Sequence, residues 1–400
     1  MIIKSILDAD LYQFTQQQAL LFGRRMGIAY SECSTTYEFI NRGGTQFPEG
    51  FKEALQTQIN MMADLSLSGE EEAFLRENCP FLKESYIDYL RGFRFNPYQT
   101  TVSQSGGVLK VSSGGPAPQA ILWEVPLLAI ISELYYRMTD RHPDDQTWER
   151  MSRKATRLGN AEVSVADFGT RRRFSRQIQD DLVSIFKKKC SSFVGTSNVH
   201  LAMKHGVKSI GTQAHLWFMF HAALFGYRLA NYHALEAWVD EYQGDLGIAL
   251  TDTFTTDVFF RDFNEKFALL FRGLRHDSGC PFEFGEKAIK HYKSLGVDPM
   301  FKTIVFSDSL DDEKACSIAE YFKGRINVST PLLAIGDVSM GIGTFLSNDC
   351  GHDPLNMVIK MTSVEYEGRR YPTVKLSDVQ GKHTGDPDEI QLCKKTLGLL

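Results

Sequence analysis

The stretch VSVADFGTRRR, residues 163–173, decides the fold. A short apolar, β-branched run ends at Asp167, and the chain then passes through glycine, threonine and arginines into a helical pattern. The same beat returns in SSFVGTSN (191–198), KSIGTQAH (208–215), GIALTDTF (247–254), LRHDSG (274–279), TIVFSDS (303–309) and MGIGT (340–344). Helical stretches such as NEKFALL, GEKAIKHYKSLG and DDEKACSIAEYFKG separate these strand ends. Such βα repetition predicts a parallel sheet. In a closed parallel barrel, the loops that follow the strands all open on one face. Phe168, Arg171, Thr196, Ser197, His215, Asp252, Arg275, Asp277, Asp308 and Thr344 would converge there, and so many reactive side chains at strand ends indicate an enzyme.

Outward from this region the pattern changes. Residues 1–135 read as an α+β domain: a helix over Asp10 to Leu21, a strand in TTYEFINRG, polar helices over Glu70 to Arg91, and a glycine-rich hairpin in TVSQSGGVLKVSSGGPAP. The helix EVPLLAIISELYYRM follows, and the charged DRHPDDQTWERMSRKATRL leads into the βα region, assigned to residues 136–350. Beyond it, NMVIKMTSVEYEGRRYPTVKLSD alternates as a strand pair around Glu367-Gly368, and residues 351–400 are expected to return to the first domain. The expected fold class is α/β, an irregular, TIM-like α/β barrel beside an α+β domain built from the N-terminal region and the C-terminal segment.

Composition narrows the function. With 400 residues, 43% of them hydrophobic, the chain can bury a large core. A net charge of -5 and the absence of any basic run longer than Arg171-Arg172-Arg173 or Lys187-Lys188-Lys189 argue against a nucleic-acid partner. The seven cysteines are scattered without a CxxC pair, as in a reduced, cytoplasmic protein. MIIKSILDADLYQ carries Asp8 and Asp10 where a signal peptide would be apolar, and no apolar run reaches the roughly 20 residues that span a bilayer, so no membrane partner is expected.

DADLYQFTQ, ILWEVPLL, ADFGTRRRFS, FVGTSNVHLA, GTQAHLWF, LGIALTDTF, GLRHDSGCP, FSDSLD, GIGTFL and KLSDVQGK, in this order, closely resemble the nicotinate phosphoribosyltransferase family. The resemblance spans nearly the whole chain. It implies transfer of phosphoribosyl from phosphoribosyl pyrophosphate to nicotinate, yielding nicotinate mononucleotide and pyrophosphate. ATP hydrolysis, with magnesium, would drive the reaction through a phosphohistidine in NAD salvage, and head-to-tail homodimers would share their active sites. The alternatives are nicotinamide transfer, or a catalytically silent binding protein on the same fold.

By this resemblance His215 matches the phosphorylated histidine, although Leu216 stands where relatives carry an acidic or small polar residue. A neutral imidazole can accept a phosphoryl group, whereas the structural alternative is a satisfied histidine at the start of a buried helix. Asp252 and Asp277 would orient ribose hydroxyls, hold magnesium indirectly or bond the phosphohistidine ring; otherwise they are helix caps. Displacing pyrophosphate builds positive charge on the ribose and negative charge on the leaving group, so cations and backbone donors are needed. Arg171, Arg275 and the loop of Gly341, Gly343 and Thr344 fit those roles, with Asp308 a weaker phosphate-site candidate. Phe168 would stack on the pyridine ring, and Tyr12 would cover the other face from a neighbouring subunit. Thr196 adds a hydroxyl. Ser197 stands where nicotinamide-using relatives carry Asp, and lacking that carboxylate it should favour the acid.

Overall fold

The computed structural model describes residues 1–211, 213–326, 338–379 and 381–400, leaving Thr212 of GTQAH and Gln380 of KLSDVQGK outside the described residues. Every strand-end motif closes a real strand. Ser164–Asp167, Phe193–Thr196, Lys208–Ser209, Ile248–Leu250, Gly273–His276, Thr303–Phe306 and Val338–Ile342 form one seven-stranded sheet. Each described pairing in it is parallel.

Across the sheet, the first three strands in chain order run outward from Ser164–Asp167 on one side. Val338–Ile342, Thr303–Phe306, Gly273–His276 and Ile248–Leu250 follow on the other. That is the neighbour order of a βα barrel, cut at one place. Closure was expected. Among the described residues, however, Lys208–Ser209 and Ile248–Leu250 remain the two edges, so the sheet is a curled half-barrel with a seam. The first of these strands is only two residues long, too short to extend the ladder, and Gln213 reaches across instead, its Oε1 accepting from Leu250 N at 3.5 Å. At Gly195, φ +151° and the nearby Lys208 backbone leave no room for a side chain, so strand approach beside the seam needs glycine.

A second, five-stranded antiparallel sheet has the order Arg369–Pro372, Met357–Tyr366, Ser34–Asn41, Val108–Pro116 and Thr100–Ser105. Met357 pairs with Asn41, and Glu365 with Ser34, so a strand from the C-terminal region is built into the N-terminal sheet. Glu367 and Gly368 turn the last hairpin, both with positive φ. The helices Gly69–Asn78 and Glu84–Gly92 replace the mixed helical region, the first opened by a capping box of Ser68 and Glu71. Ala117–Met138 is long and apolar enough to cross a membrane by composition. Of its most apolar 18 residues, however, 94% are buried within the protein, packed into the core.

One buried ion pair joins the N-terminal segment to the parallel sheet. Arg173 donates to both oxygens of Asp8 at 2.6 and 2.9 Å, and both residues are buried. Asn198 Nδ2 adds a third bond to Asp8 at 2.8 Å. The backbone of residues 7–11 then runs beside residues 197–200, with Leu11 N donating to Ser197 O at 2.8 Å and Val199 N to Ala9 O at 3.0 Å. This seam of bonds carries Asp10 and Tyr12 to the strand ends.

Candidate active site

His215 is the first residue of the helix His215–Phe225, at the edge of the sheet's seam. Its Nδ1 lies 3.1 Å from Thr253 Oγ1. Its Nε2 lies 2.9 Å from Asp277 Oδ2, 2.8 Å from Lys375 Nζ and 3.7 Å from Asp252 Oδ1. The nitrogen can donate to Asp277 or accept from Lys375, but a single ring nitrogen cannot do both at once. Burial, followed by the Lys375 ammonium, pushes the His215 ring down to about 4, so it is neutral near pH 7. The ring is oriented by Thr253, Asp277 and Lys375, while the apolar Leu216 beside it is buried.

The two aspartates do not cap helices. Thr255 caps the helix after Asp252, and Cys280 precedes the helix after Asp277 without a side-chain cap bond. Asp252 Oδ2 accepts from Ser278 Oγ at 2.6 Å, while its buried Oδ1 has no hydrogen-bond donor among the described residues. Asp277 Oδ1 accepts from Arg275 Nη2 at 2.9 Å and Ser307 Oγ at 2.7 Å. Burial alone would raise the Asp277 carboxyl, but Arg275 and His215 outweigh it and hold it well below the usual carboxylate range. Ligand atoms of His215, Asp252 and Asp277 lie within 4.8 Å of one another, as a cation site would have them. The Lys375 ammonium, 3.7 Å from Asp252 Oδ2, supplies that positive charge, and no metal ligand is assigned.

A second group surrounds Arg171. Its guanidinium lies 3.9 Å from Asp10 Oδ2 and 3.9 Å from Glu124 Oε1, and Tyr12 donates to Glu124 Oε2 at 2.9 Å. Within the one chain, Tyr12 thus lies beside Glu124 and the Arg171 cluster. Ser197 Oγ donates to Asp10 Oδ1 at 2.7 Å. Ser197 itself offers no carboxylate, but Asp10 brings one within hydrogen-bond distance of it. Burial pushes the Asp10 carboxyl up against the pull of Arg171 and Ser197. Thr196 is also spoken for: its fully buried hydroxyl donates to Asp167 Oδ2 at 2.7 Å and accepts from Asn198 N at 3.1 Å, so it fixes the loop.

Phe168 is half-buried, with the Arg275 guanidinium 5.9 Å from its ring centroid. A Cβ on Gly341 would overlap the Phe168 ring. Gly341 thus belongs to the strand Val338–Ile342, paired with Ala166, and its lack of a side chain seats the aromatic ring; it does not form a phosphate loop. Gly343 precedes the single turn Thr344–Ser347, where Thr344 is half-buried. Asp308 stands apart from His215's partners, facing Lys382 Nζ at 3.4 Å. It is no cap either, since Asp311 caps the next helix.

Sequence reading missed Lys375, Thr253, Ser307, Asp10 and Glu124. All five lay inside quoted motifs: Lys375 opens KLSDVQGK, Asp10 belongs to DADLYQ, Glu124 to ILWEVPLL, Thr253 to LGIALTDTF and Ser307 to FSDSLD. A lysine on a loop outside the βα region carried no signal of where it points.

Fold and site define an enzyme built on a curled βα sheet, with a neutral histidine, paired carboxylates and arginines gathered at the strand ends. A family model described as the nicotinate phosphoribosyltransferase (NAPRTase) family matches residues 163–399, and one for the N-terminal domain of that family matches residues 7–132. The chain belongs to the nicotinate phosphoribosyltransferase family. A nicotinate phosphoribosyltransferase of Chromohalobacter salexigens is 48% identical over 99% of both chains, and one of Desulforapulum autotrophicum is 46% identical with the same coverage. The crystal structure of nicotinate phosphoribosyltransferase from Porphyromonas gingivalis superposes with a TM-score of 0.93 at 45% identity, covering 99% of this chain and 100% of that one.

Proposed function

We propose that this chain is an ATP-coupled nicotinate phosphoribosyltransferase in which His215 accepts the γ-phosphoryl group of ATP. The observation that carries this reading is a buried, neutral His215 held between Thr253 on one nitrogen and Asp277 and Lys375 on the other. Asp252 Oδ1, buried and lacking a donor, is available to a ribose hydroxyl. The pyridine nitrogen of nicotinate attacks the anomeric carbon of phosphoribosyl pyrophosphate, and pyrophosphate leaves with the bonding electrons. No general base is needed. Arg171 and Arg275 oppose the negative charge on nicotinate and on the leaving group, and magnesium arrives on the substrate phosphates. Phe168 is the stacking face, with Tyr12 opposite, and Gly343, Thr344 and Asp308 line the phosphate end.

Residues 1–135 with 351–400, beside 136–350, are the two domains of this reading, the curled sheet serving as an irregular barrel. A cytoplasmic location follows from the same reading. A homodimer with shared active sites is part of the same proposal, with Asp10 and Tyr12 also reaching Ser197 and the Arg171 cluster within one chain.

Incubation with ATP and magnesium, then mass spectrometry under alkaline conditions that preserve phosphoramidates, tests the reading. Phosphate on His215, discharged on adding phosphoribosyl pyrophosphate and nicotinate with mononucleotide formed, is the expected result. Product without phosphate on His215 removes the phosphohistidine, and no product with either pyridine removes the transferase.

A further inference from the structure

The KLSDVQGK segment, which carries Lys375 to His215, crosses the mouth of the parallel sheet. Leu376 N donates to Thr253 O at 2.8 Å, and Asp378 accepts from the amide and hydroxyl of Thr256 at 2.7 and 2.6 Å. Lys375 exchanges backbone bonds with Thr384, each 2.9 Å long. Between these anchors Ser377 has φ +69°, a left-handed backbone unusual for a residue with a side chain, and it is buried. The segment is therefore over-determined. Its consequence is that the Lys375 ammonium is buried against His215 Nε2 at 2.8 Å.

The charges around the ring pose a problem that this lysine answers. Asp252 faces His215 from the loop after Ile248–Leu250, and Asp277 from the end of Gly273–His276, with Arg275 behind it and His276 beside it in sequence. Thr253 on the far nitrogen is neutral. Two carboxylates at 3.7 and 2.9 Å favour an imidazolium, which has no lone pair for a phosphoryl group. A bare Nε2 beside Asp277 is tolerable only with a positive charge next to both.

We propose that Lys375 is a positioning residue for the phosphoryl acceptor: its ammonium donates to His215 Nε2, keeps the ring proton on Nδ1 beside Thr253, and later pairs with the transferred phosphoryl group. The proposal rests on the reading of His215 as acceptor. In the step, the Nε2 lone pair forms the bond to the γ-phosphorus of ATP while the bond from that phosphorus to the bridging oxygen breaks, and the electrons leave with ADP. The Lys375 hydrogen bond passes from Nε2 to a phosphoryl oxygen. No proton moves, and the charge left on the ring is balanced by Asp252 and Asp277.

The test uses ring ¹⁵N chemical shifts of His215 in the intact protein between pH 5.5 and 8.5, assigned by loss of the signal in His215→Asn. The rate of ATP-dependent phosphorylation is measured in the same samples. In the parent protein the Nδ1–H tautomer should persist across this range. Lys375→Met should move the ring to the Nε2–H tautomer or to imidazolium and raise its titration midpoint by a pH unit or more. It should also cut phosphorylation at least tenfold at pH 6.5, with partial recovery at pH 8.5 and little change in KM for ATP. Lys375→Arg should restore the tautomer, and Lys375→Gln replaces the methionine variant if that one does not fold. Unchanged tautomer and midpoint in the folded neutral variant overturn the proposal. A tautomer change in a protein whose parent form takes no phosphate from ATP upholds the lysine's control of the ring and overturns its use in phosphoryl transfer.

Discussion

The hydroxyl of Ser197 donates to Asp10 over 2.7 Å, so a loop at a strand end and a segment near the N-terminus meet as neighbours in one site. Removing the donor with Ser197→Ala leaves a buried carboxylate oxygen short of a bond, worth about 1–3 kcal/mol. Nicotinate KM should rise several-fold, while ATP hydrolysis without nicotinate stays near the parent rate. Ser197→Asp sets a second carboxylate against Asp10. It should lower nicotinate efficiency more than tenfold and raise the nicotinamide-to-nicotinate ratio, with Asp10→Asn in the same chain recovering part of the loss. Steady-state kinetics with both pyridines decide this; an unchanged ratio means that Ser197 does not face the ring substituent.

Gly341→Ala drives a methyl group into the Phe168 ring. Overpacking of this kind costs about 1–3 kcal/mol, and here the displaced ring is also the proposed stacking face. The expected result is a raised nicotinate KM together with a lower urea midpoint. In a Phe168→Ala background the same substitution should cost little further, a coupling that a double-mutant cycle measures directly. Full additivity would place the ring elsewhere.

Breaking the Asp8–Arg173 pair from one side leaves a buried charge without its partner. Asp8→Asn or Arg173→Met should destabilise by roughly 3–5 kcal/mol in urea unfolding. Because that pair docks the segment carrying Asp10 and Tyr12, nicotinate KM should also rise where the variant remains folded. A variant with parental stability would show that the N-terminal segment is held by other bonds.

The lowered His215 pKa of about 4 has a definite sign for stability. An ordinary histidine in the unfolded chain titrates near 6.5, so between the two values the unfolded state binds more protons and stability from this residue falls with decreasing pH. Its unfavourable contribution is absent above the unfolded value and grows to the order of 3 kcal/mol toward pH 4. His215→Asn should therefore flatten the pH dependence of the urea midpoint in that window. Parallel curves for the two proteins would mean that the ring titrates normally in the fold.

The seven strand ends were legible because a parallel strand flanked by helices is apolar and a loop at its end is not. The contrast survives in short windows such as TIVFSDS. The final hairpin was legible from Glu367-Gly368 for a similarly local reason. What escaped was long-range. The seam depends on how far Lys208–Ser209 extends toward Ile248–Leu250, and no periodicity encodes that. In the sequence Arg173 is one member of a short arginine run, and only the fold places its buried partner, Asp8, beside it. Gly341 suggested a phosphate turn because the ring that fills its missing side chain belongs to a different strand end. Lys375 gave no warning, since its importance lies in where a loop from the other sheet happens to cross.

The strand shared between the two ends of the chain orders events during synthesis. Thr362 bonds to the carbonyl of Thr36 across a sequence separation of 326 residues, so the edge of Ser34–Asn41 waits uncovered while nearly all of the protein is made. Until Met357–Tyr366 arrives, that edge is open to pairing with another nascent chain, and helpers that shield strand edges would have most to do then. The segment after it carries Lys375, so the same late-made region closes the edge and brings the lysine to His215. A chain stopped short of residue 375 would lack the ammonium that faces His215 Nε2.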